Sequence, residues 1–231
     1  MKKHRFLVQT PLQEGNMSLD DAEQIHQITS VLRLSQGDEI VIVYEGKEAK
    51  AQLREITPRK ITLFVEKIID CPKPPRDVYL AFSLLRKDNV EWVVQKVTEI
   101  GVKGIIPFIS KRTVKTNISE ERLRKIIREA VEQAGWGEVP ELYNIHTYEE
   151  ALDTLTSLCD KVYIADLQTT THSPVSKDTC GILVGPEGGF TDEELSCAYE
   201  RGVKPLTLGV STLRGETAAI LSAYHILYWN Q

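Results

Sequence analysis

Two glycine-bearing segments near the C-terminus have the residue types to hold a small ligand. The first is Gly181-Ile-Leu-Val-Gly-Pro-Glu-Gly-Gly-Phe190. A short apolar strand there runs into a turn almost without side chains, where glycine reaches positive φ at little cost. A helix start follows at once: Thr191 and Glu194 have the spacing of a capping box, and Phe190 and Leu195 that of a hydrophobic staple. A loop pinned at both ends and bare in its middle suits a flat ligand read by backbone groups, such as an adenine or an amino-acid moiety. No Lys-Ser/Thr follows, so a phosphate-cradling Walker loop is excluded. The alternative reading is a tight strand-to-helix turn with no ligand. The second segment, Leu206-Thr-Leu-Gly-Val-Ser-Thr-Leu-Arg-Gly-Glu-Thr217, is again a strand ending in glycine ahead of a helix. The two could form two walls of one pocket. Arg214 and Glu216, the only charged residues between 206 and 229, are either catalytic or an ion pair at a helix start, where an acid is favoured by the helix dipole.

The elements that must position these segments alternate. Apolar strand patterns at 78–85, 104–110, 142–145, 161–166, 181–185 and 206–209 are separated by helical patterns at 89–100, 119–134, 148–158, 191–201 and 215–229. That alternation predicts a mainly parallel sheet covered on both faces, with ligands at the carboxyl ends of its strands. Asp88 to Glu91 resembles a capping box, and Gly101 has the place of a helix-ending glycine. The last helix is apolar nearly all round, which means deep burial or packing on another subunit. Upstream, Ser18-Leu-Asp-Asp21 reads as the start of one helix, and Glu39–Tyr44, Ala49–Ile56 and Lys60–Ile69 as strands of a small β-rich unit. Cys71-Pro-Lys-Pro-Pro75 cannot continue a helix or a central strand and marks a linker. Domains are therefore expected at 1–72 and 73–231.

Several classes are excluded. No stretch nears 18 uninterrupted apolar residues, and no apolar run follows the basic N-terminus, so neither a spanning helix nor a secretory signal is expected. The four cysteines form no CxxC pair and the histidines no HExxH, which argues for a reducing compartment, the cytoplasm, and against a metal. A dinucleotide-dependent oxidoreductase would need GxGxxG after the first strand of the α/β domain. The chain has Arg86-Lys-Asp-Asn89 there. The net charge of −5 hides an uneven distribution: residues 73–135 carry 13 Lys/Arg against 8 Asp/Glu, and residues 136–231 carry 5 against 14. Phosphate binding depends on such local basic surface, although a solvated helix face gives the same count.

Taken together, GPEGGF with its TxxE, LGVSTLRGETA, SLLRKDNVEWVVQKVTEIGV, IIPFISKRTV, Glu129-Ala-Val-Glu-Gln133, RFLV and HQITSVLRLSQG resemble the RsmE family across essentially the whole chain. These are the small-subunit ribosomal RNA uridine N3-methyltransferases of the SPOUT superfamily. The resemblance implies a C-terminal α/β domain with a trefoil knot, an N-terminal PUA-like β-barrel for RNA, and a homodimer with its site at the subunit interface. It also implies S-adenosylmethionine as cofactor and N3-methyluridine in 16S ribosomal RNA, free or in the small subunit, as product. Cofactor contacts would fall on Val184, Gly185, Pro186, Glu187, Gly188, Gly189, Leu208, Gly209, Ser211, Thr212 and Leu213. Arg214 would stabilise charge on the base, with Glu216 as base or orienting group. Arg5, His26, Arg33, Arg86, Lys111 and Arg112 are the RNA-contact candidates. A non-catalytic RNA-binding module with a vestigial loop is the competing function. Two departures stand out: the family commonly has an arginine shortly after its Glu-Gln pair, where this chain has Ala-Gly-Trp136, and an isoleucine where it has Thr212.

Overall fold

The computed structural model describes residues 4–114, 118–166, 179–209 and 211–228. The chain divides into two compact units, Met1–Lys73 with Val131–Val139, and Pro74–Ala130 with Pro140–Gln231.

The first unit is a mixed sheet of β1 (Arg5–Leu7), β2 (Gly15–Leu19), β3 (Glu39–Tyr44), β4 (Lys47–Thr57), β5 (Lys60–Val65) and β6 (Ile69–Asp70). Its order is β1-β3-β4-β5-β2, with β6 paired to β4. Only β1 and β3 run parallel; the other pairs are antiparallel. Strict alternation along β5, with Ile61, Leu63 and Val65 inward, gives one core shared with Phe6, Leu19, Ile40, Ile42 and Leu53. The helix of this unit, α1 (Ala22–His26), starts later than the sequence pattern suggests. Ser18 lies in β2, paired with Thr62, and the cap is Asp21, whose carboxylate accepts from the Gln24 amide at 2.9 Å. A π-helical turn, Gln27–Val31, completes the helical segment.

Residues 131–139 join this unit through specific bonds. The Glu132 carboxylate accepts from the Leu7 amide at 3.0 Å, and the Gly46 amide donates to the Gly137 carbonyl at 2.9 Å. Gly137 must be glycine, because a Cβ there would meet the Cys71 side chain at 2.5 Å and the Gly46 Cα at 2.8 Å. Gly135 has φ +85°, and the Arg5 guanidinium occupies the place of a Cβ. Gly135 and Gly137, on either side of Trp136, are thus tight packing points.

The second unit carries a seven-stranded sheet, every pair of it parallel. Its strands are β7 (Val78–Ser83), β8 (Gly104–Ile109), β9 (Glu141–Leu142), β10 (His146–Thr147), β11 (Lys161–Ala165), β12 (Cys180–Val184) and β13 (Lys204–Leu206), in the order β10-β8-β7-β12-β11-β13 with β9 on β8. The central β12 is buried at all five residues, as a parallel strand covered on both faces must be. Its helices are α2 (Lys87–Ile100), α3 (Glu120–Ala134), α4 (Tyr148–Leu158), α5 (Asp192–Glu200) and α6 (Gly215–Tyr228). One face packs α4 against Ala81, Ile106, Phe108, Ile164 and Leu183; α6 packs on β7 and β12 and against α2.

Capping boxes at Thr147/Glu150 and Thr191/Glu194 open α4 and α5, and Gly101, at φ 101°, ends α2. Asp88 does not cap α2: the cap position is Arg86, which makes no side-chain capping bond. The strand expected over 206–209 ends at Leu206, since the Thr207 hydroxyl takes the Gly209 amide at 3.3 Å and turns the chain locally. Among the described residues no helix is long and apolar enough to cross a membrane, and no cluster of ligating side chains could hold a metal. All four cysteines are free thiols. Burial pushes the Cys71 thiol up to about 11 and that of Cys159 up to about 12, with nearby Glu48 and Cys180 adding to the respective shifts. Both are therefore protonated at neutral pH. We expect native protein at pH 8 to label with a disulfide reagent at these two positions far more slowly than denatured protein. Comparable rates in the two states would contradict that burial.

Candidate active site

Both glycine-bearing segments meet in one cavity of about 240 Å³ in the second unit. Val184 through Gly189 form one wall at the end of β12, and Leu208, Thr212 and Leu213 form another beyond β13. The first wall is a closed turn: the Gly189 amide donates to the Pro186 carbonyl at 2.9 Å, and Gly189 takes φ +69°. Phe190 closes the turn from behind, stacked on Phe108 with ring centroids 6.4 Å apart and edge-on to Tyr148 at 5.8 Å. The Tyr148 hydroxyl in turn donates to the Glu194 carbonyl at 2.5 Å, so the aromatic wedge and the helix start hold each other.

Glu194 is buried and doubly employed. One carboxylate oxygen accepts from the Thr191 amide at 2.8 Å, as the capping box requires, and the other from the Lys111 amide at 3.0 Å. The turn after β8 is thereby tied to the glycine loop. A hydroxyl cluster of Ser83, Ser110 and Thr113 fixes the base of that turn, with Ser83 and Thr113 2.6 Å apart.

Four expected cofactor-site or catalytic residues lie off the cavity wall. Gly209 and Ser211 are exposed, as is Arg214, while Glu216 is half-buried. Val210, between them, is outside the described residues. Arg214 and Glu216 do not pair with each other among the described residues. Glu216 accepts instead from the Asn89 side chain at 3.1 Å, and Asn89 is a residue the sequence reading used only as part of a capping pattern. Asn89 thus holds the Glu216 carboxylate in this structure.

The RNA candidates divide. In the first unit His26 and Arg33 are exposed, and Arg33 adopts φ 54°. Arg5 is different: it is half-buried, paired with Glu48 at 2.8 Å and packed on Gly135, so it is a structural residue rather than an open phosphate ligand. In the second unit Arg86 and Lys111 are exposed, with Lys111 in a loose 3.4 Å pair with Glu193 that solvent screens. Arg112 is exposed too, and it also lines the cavity. Its Nη1 donates to the carbonyls of Gly188 at 2.9 Å and Phe190 at 3.1 Å.

The sequence reading also missed Asp166, Leu195, Gly215 and Ala218, which line the cavity. Asp166 was detectable in principle, as an acid at the carboxyl end of an α/β strand. We expect Arg112→Ala to raise the dissociation constant for a ligand of this cavity about three- to tenfold, the range for two solvent-accessible bonds to the loop. Calorimetry checks it; unchanged affinity would mean that the turn stands without its brace.

Residues 72–227 match the family described as RNA methyltransferase domain, and residues 19–66 match its RNA methyltransferase PUA domain. The chain belongs to this RNA methyltransferase family. Among its relatives, ribosomal RNA small subunit methyltransferase E of Bacillus subtilis is 31% identical over 225 residues, covering 89% of this chain and 88% of that protein. The same enzyme from Neisseria gonorrhoeae, solved bound to S-adenosylmethionine, superposes with a TM-score of 0.85 at 27% identity, over 96% of this chain and 95% of the other. A Legionella pneumophila chain solved with the same cofactor gives 0.88 at 26% identity, covering 98% and 97%. The α/β architecture with a smaller PUA-type unit is the fold of these enzymes.

Proposed function

We propose that the protein transfers the methyl group of S-adenosylmethionine to N3 of a uridine in 16S ribosomal RNA, in the cytoplasm. The observation that carries this reading is the convergence of Val184–Gly189 with Leu208, Thr212 and Leu213 on a single cavity. The cavity's character fits the cofactor. Its walls are largely apolar and backbone-rich, and at Gly185 the backbone lies so close to the Phe190 ring that a side chain there would shift the wall. The bound cofactor would supply an electrophilic methyl group, and the chain's own residues supply alignment. Orientation of this kind contributes about 7–11 kcal/mol to such displacements.

Val184, Gly185, Pro186, Glu187, Gly188, Gly189, Leu208, Thr212 and Leu213 would make the walls, with Gly209 and Ser211 shaping the second loop. Uridine N3 carries a proton at neutral pH, so the site must favour its loss. Arg214 is the group that would stabilise negative charge on the flanking carbonyl oxygens. Glu216, oriented by Asn89, would take or guide the proton. The base must be unpaired or flipped to reach the site. His26, Arg33, Arg86 and Lys111 are exposed polar or cationic side chains, which suits phosphate contact.

On this reading residues 1–72 are the RNA-binding PUA-like domain and 73–231 the catalytic domain. On the same reading the catalytic domain carries the trefoil knot expected of the family, where the chain passes from β12 through β13 to α6. A homodimer is supported by the apolar surface of α2 and α6, where Trp92, Leu221 and Tyr224 are 52%, 43% and 55% exposed.

The deciding experiment incubates the protein with labelled S-adenosylmethionine and small ribosomal subunits lacking this modification, then maps the methylated base. Label at N3 of one uridine is the expected result. Label on another atom overturns the assignment of product, and cofactor binding without transfer to RNA would favour a non-catalytic binding module.

A further inference from the structure

Asp166 follows β11 directly and lines the cavity without a part in the chemistry above. Its amide donates to the Leu206 carbonyl at 3.1 Å, which fixes its backbone beside β13. The Tyr199 hydroxyl, from α5, donates to its Oδ2 at 2.7 Å. Burial, and secondarily the bond to Asp166, holds the Tyr199 phenol above its ordinary range, so it remains a donor throughout the working pH.

The cavity's other charged residues are Arg112 and Glu187, and both belong to the glycine turn: Glu187 is part of it, and Arg112 is bound to its carbonyls. The turn after β12 thus carries one charge of each sign, whereas the wall at the ends of β11 and β13 carries a single, tyrosine-oriented carboxylate. S-adenosylmethionine has a carboxylate at one end of its length and a ribose diol toward the other. The diol offers two donors, and an ionised carboxylate is acceptor-only.

We propose that Asp166 accepts the ribose hydroxyls of the cofactor, with Tyr199 as the positioning residue that sets its rotamer. The inference rests on the cofactor reading above and adds the residue that reads the sugar.

The test is calorimetry on the intact chain with S-adenosylhomocysteine and 5′-methylthioadenosine, each beside its 2′,3′-dideoxy counterpart. 5′-Methylthioadenosine keeps the ribose but has no ammonium group. Wild-type protein should lose ten- to hundredfold in affinity on the dideoxy ligands, the range for hydrogen bonds to a charged group. Asp166→Asn should lose a similar factor on both parent ligands and little more on the dideoxy ones. Tyr199→Phe should show a smaller loss confined to the parent ligands. Equal loss on parent and dideoxy ligands in Asp166→Asn would make the residue merely structural and overturn the proposal. So would a loss on S-adenosylhomocysteine alone, which would place the carboxylate at the ammonium. Wild-type protein that binds dideoxy and parent ligands equally overturns it without any variant. Wild-type protein that binds neither parent ligand sinks the cofactor reading itself, a result distinct from the others.

Discussion

Gly185→Val is expected to weaken S-adenosylmethionine binding at least a hundredfold while leaving the protein folded. A Cβ at this position would lie 3.1 Å from two atoms of the Phe190 ring and 3.3 Å from a third. The ring has nowhere to go, because Phe108 stacks on it and Tyr148 packs edge-on against it. Tyr148 is itself bonded to the start of α5. Overpacking of this kind costs about 1–3 kcal/mol, and the loop must move to relieve it. Movement of even an ångström misplaces every backbone group that would read the ligand, and valine's two γ-carbons add bulk to the wall. Two neighbouring glycines provide an internal scale. At Gly189, with φ +69°, alanine is strained by roughly 1–2 kcal/mol in the left-handed region. At Gly188 a Cβ would lie 3.3 Å from the Arg112 Cβ and 3.5 Å from its Cδ, a contact relieved by a shift of a few tenths of an ångström. Affinity for the cofactor should therefore fall in the order Gly188→Ala, Gly189→Ala, Gly185→Val, the last weakest. Cofactor binding by Gly185→Val that matches wild type would mean that this cavity is not the cofactor site.

That ranking also shows where the sequence stops being legible. All three glycines look alike in GPEGG, and the strand, the turn and the capping box around them can be read directly because each is a local pattern. Which glycine is crowded depends on Phe190 being wedged between Phe108 and Tyr148, residues 82 and 42 positions away. Arg112 illustrates the same limit. From composition it belongs to a basic stretch suited to phosphate, but the fold spends its guanidinium on two carbonyls of the glycine loop. Arg5 likewise reads as surface charge until Glu48 and Gly135 are brought around it. The alternation of strands and helices in the second unit was legible because burial on both faces forces continuous apolar strands. Ser18 misled for a local reason: serine is a common cap, yet here it extends β2 and the cap falls to Asp21 three residues later. The association of Val131–Val139 with the first unit left no local signature, because it depends on close approaches at Gly135 and Gly137 to residues near the N-terminus and the linker.

Arg214→Ala should lower kcat about a hundred- to a thousandfold on small ribosomal subunits while changing the dissociation constant for S-adenosylmethionine less than twofold. The separation follows from where the residue sits. Leu213 and Gly215, on either side, line the cavity, whereas the Arg214 side chain is exposed and makes no ion pair among the described residues. Its backbone is fixed: the Arg214 carbonyl accepts from the Ala218 amide at 2.8 Å, and Gly215 is pressed so closely on Leu85 that a Cβ would come within 2.7 Å. The stem is thus held at a fixed helix start while the guanidinium stays exposed. The pH profile distinguishes this role from simple RNA anchoring. A cation beside the pyrimidine favours the deprotonated base and lowers its apparent pKa, so wild-type turnover should reach half its maximum at a lower pH than the variant. In Arg214→Ala the rising limb should move to higher pH, and alkaline buffer should restore part of the lost rate. Arg214→Lys keeps the charge without the planar fork and should fall between the two. An unshifted profile with a raised KM for the subunits would make Arg214 an RNA anchor only, and near-normal kcat with normal KM would remove it from the site.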